Sequence, residues 1–198
     1  MRVSHGSADG VHSSTRTLPV SATVIRQATL ADLDRILRIW ESGRSNAGVA
    51  TAGETAGRQT PDRVAIEAFF RGRILGQTPI FQIWVAEADR EVIAWQSLSA
   101  WANNPVTRPL FAESSTYVDA AYHSKGIGRS LLLHAMRHGR KVGIRVIVGF
   151  VSPTNRRSIA LLKSIGWTQH LSFPFAACQV VPDMLLFTFE PFEREIPE

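Results

Sequence analysis

Apolar residues follow two different periods along this chain, and the first is the period of a helix. After a short apolar start at residues 24–26, apolar side chains recur at positions i, i+3, i+4 and i+7: Leu33, Ile36, Leu37 and Trp40. This spacing predicts an amphipathic helix. Thr29, with an acid three residues on, is the expected N-cap, and Gly43 is the expected end. A second helix is predicted to begin with Pro61 in its first turn.

From residue 80 onward the pattern becomes that of strands. Residues 80–88 and 92–102 are rich in Ile, Val, Trp and Phe, and the polar turn between them indicates a hairpin. A strand at 114–118 follows, and 144–151 is almost wholly apolar, as in a strand buried on both faces. The second helix is predicted to end near residue 75. Further helices are predicted at 128–141 and 156–165, a loop at 45–59, and two strands between 169 and 192. The order β-α-α-β-β-β-α-β-α-β-β predicts a mixed α/β sandwich, with Trp84, Trp95, Trp101 and Trp167 in its core.

Composition indicates one globular domain. The 198 residues are 44% hydrophobic and 20% charged, and the domain is assigned to residues 23–190. Residues 1–22 are rich in Ser, Gly and Thr and lack the apolar block of a signal peptide, so we interpret them as a disordered leader or an expression remnant. Residues 191–198 are a short tail. Because no apolar run reaches roughly 18 residues, no membrane partner is expected.

The distribution of charge and the positions of the cysteine and the histidines limit the partners and metals that this protein is expected to bind. The net charge is +5, but the basic residues are scattered from Arg26 to Arg194, so a solvated surface is favoured over a nucleic-acid partner. Cys178 has no partner for an intramolecular disulfide, which fits a reducing, cytoplasmic location. His134 and His138 have a spacing that can hold zinc, but no third ligand lies at a supporting spacing. A solvated helix face is the interpretation, and no metal is expected.

A strand, a loop with two glycines and a helix follow one another at residues 114–141. The first N–H groups of a helix lack internal partners and carry partial positive charge, and Gly126 and Gly128 allow a phosphate to approach them. The spacing is not that of a Walker A loop, and Leu131 stands where a dinucleotide fingerprint has its third glycine. A tight turn without a ligand remains the alternative.

Two longer motifs resemble a known family. The segment Tyr117-Val118-Asp119-Ala-Ala-Tyr-His123-Ser124-Lys125-Gly126-Ile127-Gly128-Arg129-Ser130 resembles the acetyl-CoA loop of GCN5-related N-acetyltransferases (GNAT). Asn155 through Gly166-Trp167 resembles the family's downstream segment at the right distance. Within this superfamily, Ala112-Glu113-Ser114-Ser115-Thr116 is most similar to the phosphinothricin acetyltransferase group. The resemblance covers about residues 23 to 190.

The resemblance implies a fold and a cofactor site. The implied α/β (α+β) fold is a central mixed, mostly antiparallel sheet of six to seven strands, splayed at the acetyl-CoA site, with helices on both faces. The pantetheine arm is expected along the backbone of Tyr117, Val118 and Asp119. The implied pyrophosphate contacts are His123, Ser124, Lys125, Gly126, Ile127, Gly128, Arg129 and Ser130. Asn155 is expected to bond the pantetheine arm and Ser158 the phosphate end.

The resemblance also implies a reaction, in which Glu113 is the candidate general base. An amine is mostly protonated at neutral pH, so a base must remove its proton before direct acetyl transfer. A backbone N–H near Val118 would stabilise the oxyanion. The expected acceptor is the primary amine of a small molecule, in some cases amino-acid-like, with Arg108 or an arginine of the 45–58 loop as a cation for its carboxylate. Trp101 and Phe111 are candidates for lining the acceptor pocket.

Three departures from the family pattern qualify this interpretation. His123 replaces the usual Arg or Gln at the head of the loop, so its charge depends on pH. Leu162 stands where many members have a tyrosine that protonates the leaving thiolate. Only Asp183 fits the relatives' pattern near 180–183, which weakens phosphinothricin as the substrate.

The sequence also leaves two alternative functions and the oligomeric state undecided. One alternative is a protein or peptide N-acetyltransferase, which needs an open groove beside Glu113. The other is a regulatory module that binds acetyl-CoA without turning it over. The resembling group also implies a homodimer, which no feature of this sequence tests.

Overall fold

A computed structural model describes residues 23–46, 62–173 and 184–198. The predicted element order is confirmed. The strands are β1 Val24–Gln27, β2 Ile83–Ala88, β3 Glu91–Ala100, β4 Phe111–Val118, β5 Val146–Val151, β6 Thr168–Phe173 and β7 Met184–Phe189. The helices are α1 Leu33–Asn46, α2 Arg63–Leu75, α3 Ile127–Val142 and α4 Arg156–Ser164, with short 3-10 turns at Leu30–Asp32, Arg108–Leu110 and Ala120–Tyr122. No helix in these ranges is long and apolar enough to cross a membrane.

The seven strands form one sheet in the order β1-β2-β3-β4-β5-β7-β6. Every neighbouring pair is antiparallel except β4 and β5, which are parallel. The parallel pair is short: it joins Phe111 to Val146, Ala112 to Ile147 and Glu113 to Val148. Beyond that point β4 stays paired with β3 and β5 stays paired with β7. The sheet is therefore splayed between β4 and β5, as the resemblance implied.

Helices cover both faces of the sheet. One apolar cluster joins α3 and α4 to the sheet through residues such as Leu131, Met136, Leu162, Ile147 and Phe187. A second cluster joins α1 and α2 to the opposite face through residues such as Ile36, Phe70, Val85 and Trp95. Trp84, Trp95 and Trp167 are buried, as predicted. Trp101 is 42% exposed and is not a core residue; it follows the last residue of β3, and its ring lies 5.2 Å from that of Phe150 in β5.

Several predicted boundaries were wrong. Helix α1 does not end at Gly43 but continues to Asn46, and α2 begins at Arg63 behind the N-cap Asp62, whose carboxylate accepts from Val64 N–H. Strand β4 begins at Phe111, earlier than predicted, because that end of it pairs with β5. Residues 1–22, Pro61, most of the predicted 45–59 loop, Cys178 and Asp183 lie outside the described residues.

Gly43 is inside α1 because the helix lies directly against Tyr117. A β-carbon at Gly43 would lie 2.7 Å from Tyr117 Cδ1. The Tyr117 ring cannot easily yield, since it is stacked on Trp95 at a centroid distance of 4.7 Å. Trp95 in turn meets Phe70 of α2 edge-on at 5.6 Å. This aromatic column fixes both helices over the part of β4 that continues past its pairing with β5.

We expect Gly43→Ala to lower the free energy of unfolding by about 1–3 kcal/mol, because the added methyl forces Tyr117 off Trp95. Gly72→Ala is the matched control: it is also a helical glycine, but nothing lies within 4 Å of its β-carbon position. That substitution should raise stability by about 0.5–1 kcal/mol through backbone entropy. Urea unfolding of both variants measures the difference, and equal stabilisation by the two alanines would contradict this account of Gly43.

Candidate active site

The second half of β4 presents a main-chain edge to the splay. The N–H of Asp119 donates to the Ile93 carbonyl of β3 at 2.9 Å. Since main-chain groups of a strand alternate in direction, Thr116 and Val118 direct theirs away from β3, toward the β5 side. Within the described residues, β5 offers them no pairing, because the β4–β5 ladder ends at Glu113. The Val118 carbonyl accepts from His123 Nε2, so the Val118 N–H and the main-chain groups of Thr116 can pair with an extended molecule that enters the splay.

The glycine loop joins this edge to the start of α3. Ser124 and Gly126 both have positive φ, 62° and 81°, a conformation that strongly favours glycine at the second position. Helix α3 begins at Ile127, and no side chain caps its first turn, so its leading N–H groups can donate to an anion. At Gly128 a β-carbon would meet only ordinary contacts, 3.5 Å from Val118 and 3.6 Å from Leu161.

The polar side chains of the loop have varied surroundings. Lys125 lies over the Tyr122 ring at 5.0 Å, and Ser130 Oγ donates to the Gly126 carbonyl at 3.3 Å. Arg129 Nη1 donates to the carbonyl of Glu198 at 3.1 Å. All three side chains lie on exposed residues of the helix start and the loop, where they can add positive charge or a donor at the rim.

Asp119 has a structural partner for each carboxylate oxygen. Its Oδ1 accepts from Ala121 N–H at 3.0 Å and so caps the 3-10 turn that leads into the loop. Its Oδ2 accepts from Arg35 Nη2 of α1 at 2.8 Å. Arg35 also donates to the Val92 carbonyl at 2.8 Å. The side chain of Asp119 therefore fixes the end of β4 to α1. Its N–H donates to Ile93 and its carbonyl accepts from Tyr122 N–H, so its backbone contact with a cofactor stays a prediction.

His123 forms a bridge between β4 and α4. Its Nε2 lies 2.9 Å from the Val118 carbonyl oxygen, and its Nδ1 lies 2.6 Å from Arg157 Nη1. A carbonyl can only accept and a guanidinium can only donate, so Nε2 carries the hydrogen and Nδ1 is an acceptor. Sequence reasoning did not single out Arg157. Only the packing of α4 beside the loop brings Arg157 to His123.

Asn155 organises the start of α4. Its Oδ1 accepts from the N–H of Ser158 at 3.1 Å, an N-cap interaction. This contact leaves the amide NH2 of Asn155 as a donor group. The predicted contacts of Asn155 and Ser158 with a cofactor stay predictions, but both residues lie on the helix whose Arg157 reaches the loop.

Glu113 lies at the last paired position before the splay. It is opposite Ser99 on β3 and Val148 on β5, and it shares its sheet face with Tyr117, so it points to the side covered by α1 and α2. Burial raises the pKa of Glu113, and the positive charge of Arg73 opposes that rise. A half-buried carboxylate with a raised pKa is a suitable proton acceptor near neutral pH.

A pocket lies between α2 and β3 on this same face. Its volume is about 360 Å³, and its lining includes Arg73, Phe69, Ser99 and Arg108. Arg108 was predicted as a cation for the acceptor site, whereas Arg73 was not. No local pattern identifies Arg73, because only the packing of α2 on the sheet brings it toward Glu113.

Aromatic side chains flank Glu113 toward β5. Phe111 shares its face by strand alternation, and Trp101 lies against Phe150 with ring centroids 5.2 Å apart. Neither Trp101 nor Phe111 lines the pocket between α2 and β3, so their role in an acceptor pocket stays a prediction.

The histidine pair of α3 is not a solvated face as predicted. His134 and His138 are half-buried and meet Trp84 edge-on at 5.2 and 4.9 Å. Burial lowers the pKa of both rings, and His138 Nε2 donates to the Ile80 carbonyl at 3.2 Å. Among the residues that the structure describes, no group of three or more His, Cys, Asp or Glu side chains could hold a metal ion.

A family model described as the acetyltransferase (GNAT) family matches residues 47–167. The chain belongs to this family. This GNAT chain is therefore an acyltransferase. It is 30% identical over 151 residues to YwnH of Bacillus subtilis, a candidate phosphinothricin acetyltransferase, a match that spans 76% of this chain and 86% of YwnH.

Two further comparisons agree with this assignment. The L-methionine sulfoximine/L-methionine sulfone acetyltransferase of Salmonella typhimurium is 29% identical over 150 residues, 76% of this GNAT chain and 82% of that protein. The structure of YncA from Salmonella typhimurium, a candidate acetyltransferase solved with its cofactor acetyl-CoA, superimposes with a TM-score of 0.70 at 26% identity. That match covers 90% of this chain and 99% of YncA.

The bridge at His123 predicts a single tautomer. A long-range ¹⁵N–¹H correlation spectrum should place the hydrogen of the neutral tautomer on Nε2, because the carbonyl of Val118 can only accept and the guanidinium of Arg157 can only donate. His123→Gln identifies the signal by its loss. A ring protonated at Nδ1 would contradict the arrangement. In Arg157→Gln the Nε2–H of His123 should still donate to the Val118 carbonyl.

Proposed function

We propose that this chain is an acetyl-CoA-dependent N-acetyltransferase that moves the acetyl group directly to the primary amine of a small molecule. One observation carries the proposal: Glu113, a carboxylate of raised pKa, lies where β4 and β5 separate. The splay and the carboxylate are thus adjacent. An acetyl donor that lies along the β4 edge and an amine that enters from the α1–α2 side can therefore meet at Glu113. The acetyl-CoA of YncA supports the choice of cosubstrate.

The residues around the splay fit acetyl-CoA. The main-chain groups of Thr116 suit the amides of an extended pantetheine arm, whereas the Val118 carbonyl accepts from His123 and only the Val118 N–H is left for a bound molecule. The leading N–H groups of α3, from Ile127, suit a pyrophosphate, with Lys125 and Arg129 adding charge at the rim. Asn155 can donate its amide N–H to the arm. Bound in this way, acetyl-CoA supplies an acetyl group activated as a thioester.

Glu113 would then act as the general base. Its carboxylate accepts a proton from the substrate ammonium, directly or through a water, and the neutral amine attacks the acetyl carbonyl. The N–H of Val118 points to the splay and donates to the carbonyl oxygen as negative charge develops there. The carbon–nitrogen bond forms as the carbon–sulfur bond breaks, and the sulfur leaves as a thiol after gaining one proton.

Arg157 takes the place of the missing arginine at the head of the loop. We propose that its guanidinium, held beside the loop by His123, contacts the phosphate end of the cosubstrate. His123 has both ring nitrogens occupied by protein partners. It would therefore orient Arg157 and the Val118 carbonyl, and the direct phosphate charge would come from α4.

Replacing the base tests the mechanism. Glu113→Gln should lower kcat at least about tenfold, because an amide cannot accept the ammonium proton, while the Kd for acetyl-CoA changes little. Glu113 must be ionised to act and its pKa is raised by burial, against the Arg73 charge. The kcat/KM of the wild-type protein should therefore fall as the pH is lowered, with a midpoint above the pKa of an ordinary carboxylate. The pH profile of Glu113→Gln should lack this fall.

Thiol release across a panel of amines measures both effects. Glu67→Gln is the control, since this exposed glutamate on α2 pairs with Arg71. Full activity in the Glu113 variant would refute the base assignment. Acetylation of peptide N-termini or lysines alone would favour the protein acetyltransferase, and acetyl-CoA binding without any thiol release would favour the regulatory module.

Calorimetric titration tests the role of Arg157. Arg157→Gln should raise the Kd for acetyl-CoA about fivefold, a loss of about 1 kcal/mol for a partly exposed charge contact. The difference should shrink at high salt. Arg156→Gln, the exposed neighbour on the same helix turn, is the control, and equal effects of the two variants would mean that only the general positive charge matters.

A further inference from the structure

A buried glutamine connects the sheet to two hydroxyl groups at the splay. The side chain of Gln96 on β3 is completely buried. Its Nε2 donates to the Ser97 carbonyl at 3.0 Å and to Ser114 Oγ at 2.9 Å, and its Oε1 accepts from the Thr116 hydroxyl. Ser114 and Thr116 lie on one face of β4, just beyond Glu113, where the pairing with β5 ends.

The Ser97 carbonyl fixes the orientation of the Gln96 amide. A carbonyl oxygen can only accept, so the amide atom that faces Ser97 is the nitrogen. Both hydrogens of this nitrogen are used, and Ser114 Oγ accepts one of them. The half-buried Ser114 therefore keeps its own hydrogen, for which the described residues provide no acceptor. Thr116, in contrast, donates its hydrogen to Gln96.

The hydroxyl of Ser114 lies on the side of the splay that α3 and α4 cover. Strand alternation places Ser114 on the same face as Thr116 and Val118, and Val118 packs against the apolar cluster of α3 and α4. Leu162 of α4 belongs to the same cluster. Glu113 points to the opposite side, toward α1 and α2. The proposed base and this hydroxyl are therefore neighbours in sequence on opposite sides of the splay.

The geometry of direct transfer requires different groups on these two sides. In the proposed function an amine approaches the planar thioester from the side of Glu113. As the carbon–nitrogen bond forms, the other substituents of the carbonyl carbon bend away from the amine, and the sulfur moves toward the α3–α4 side. The sulfur leaves with the electron pair of the carbon–sulfur bond, so negative charge develops on it. A hydroxyl hydrogen directed at this charge stabilises it.

We propose that Ser114 is a catalytic residue that donates a hydrogen bond to the leaving sulfur of acetyl-CoA, and that Gln96 is the residue that positions its hydroxyl. The inference rests on the proposed function. Ser114 keeps its proton throughout, and the sulfur gains its proton from the attacking nitrogen, so the balance of atoms in the direct transfer is unchanged. Leu162 offers no donor on this side, whereas Ser114 offers one from the sheet.

The binding of coenzyme A, the product thiol, tests this contact without turnover. A donor beside the sulfur stabilises the thiolate, so it lowers the pKa of the bound thiol below that of the free thiol. Affinity is therefore gained as the pH rises through the pKa of the bound thiol. Acetyl-CoA has no thiol and is the reference. In calorimetric titrations of the wild-type protein, the Kd for coenzyme A relative to that for acetyl-CoA should fall about fivefold between about pH 7 and about pH 9.

Variants of Ser114 should change this dependence on pH. Ser114→Ala should abolish it and lower kcat about tenfold, because a hydrogen bond to a charged atom is lost, while the Kd for acetyl-CoA changes little. Ser114→Thr keeps the hydroxyl and should preserve the dependence. Gln96→Leu should weaken it, because the hydroxyl is no longer oriented. Ser115→Ala is the matched control, since it removes a hydroxyl from the opposite face of β4 and should have no effect.

The outcomes separate this inference from the proposed function. A Kd ratio that does not vary with pH, or that varies equally in the wild-type protein and in Ser114→Ala, would overturn the role of Ser114. Acetylation of amines by the wild-type protein would then leave the proposed function standing. An equal loss in Ser115→Ala would also overturn it. If the ratio depends on Ser114 while no amine is acetylated, the contact with the sulfur is supported and the proposed function fails.

Discussion

The early end of the β4–β5 pairing is the constraint on which the site depends. The two strands share only the pairs from Phe111–Val146 to Glu113–Val148, yet each keeps an antiparallel partner on its other side. The separated edges are therefore held rigidly apart, and their main-chain donors and acceptors need partners from outside the sheet. Because Glu113 is the last paired residue, one geometric feature creates both the entry for an extended molecule and the location of the carboxylate.

The two helical layers have different roles on the two faces of the sheet. On one face α3 and α4 approach the loop, and the His123 bridge from Val118 to Arg157 connects β4 to α4. On the other face the column of Gly43, Tyr117, Trp95 and Phe70 fixes α1 and α2 over β4. Placement of Arg73 depends on that column, since Arg73 lies one turn beyond Phe70 on α2. The packing that stabilises this layer thereby also sets the charge beside Glu113.

Features with a local cause could be predicted from the sequence. Element order follows from hydrophobic periodicity, and the loop follows from glycines at a strand-to-helix turn. Gly43 was misread because a glycine that ends a helix and one that admits a neighbouring ring look alike in sequence. Arg157 and Arg73 were missed for a related reason. Each acts on a residue distant in sequence, and only long-range packing brings Arg157 to His123 and Arg73 toward Glu113.

Leu162 finally bears on how the proposed reaction balances its protons. It is buried at 6% exposure in the cluster beneath α4, and leucine has no hydroxyl that could protonate the leaving thiolate. An ammonium brings three protons and the amide product keeps one, which leaves two to be removed. Glu113 accepts the first before attack. The second is acidic once the nitrogen is bonded to the acetyl carbon, and the departing sulfur can take it directly or through Glu113. Glu113 returns to its ionised form by releasing its proton to solvent, so the products are the amide, the free thiol and one proton, and a tyrosine acid is not required.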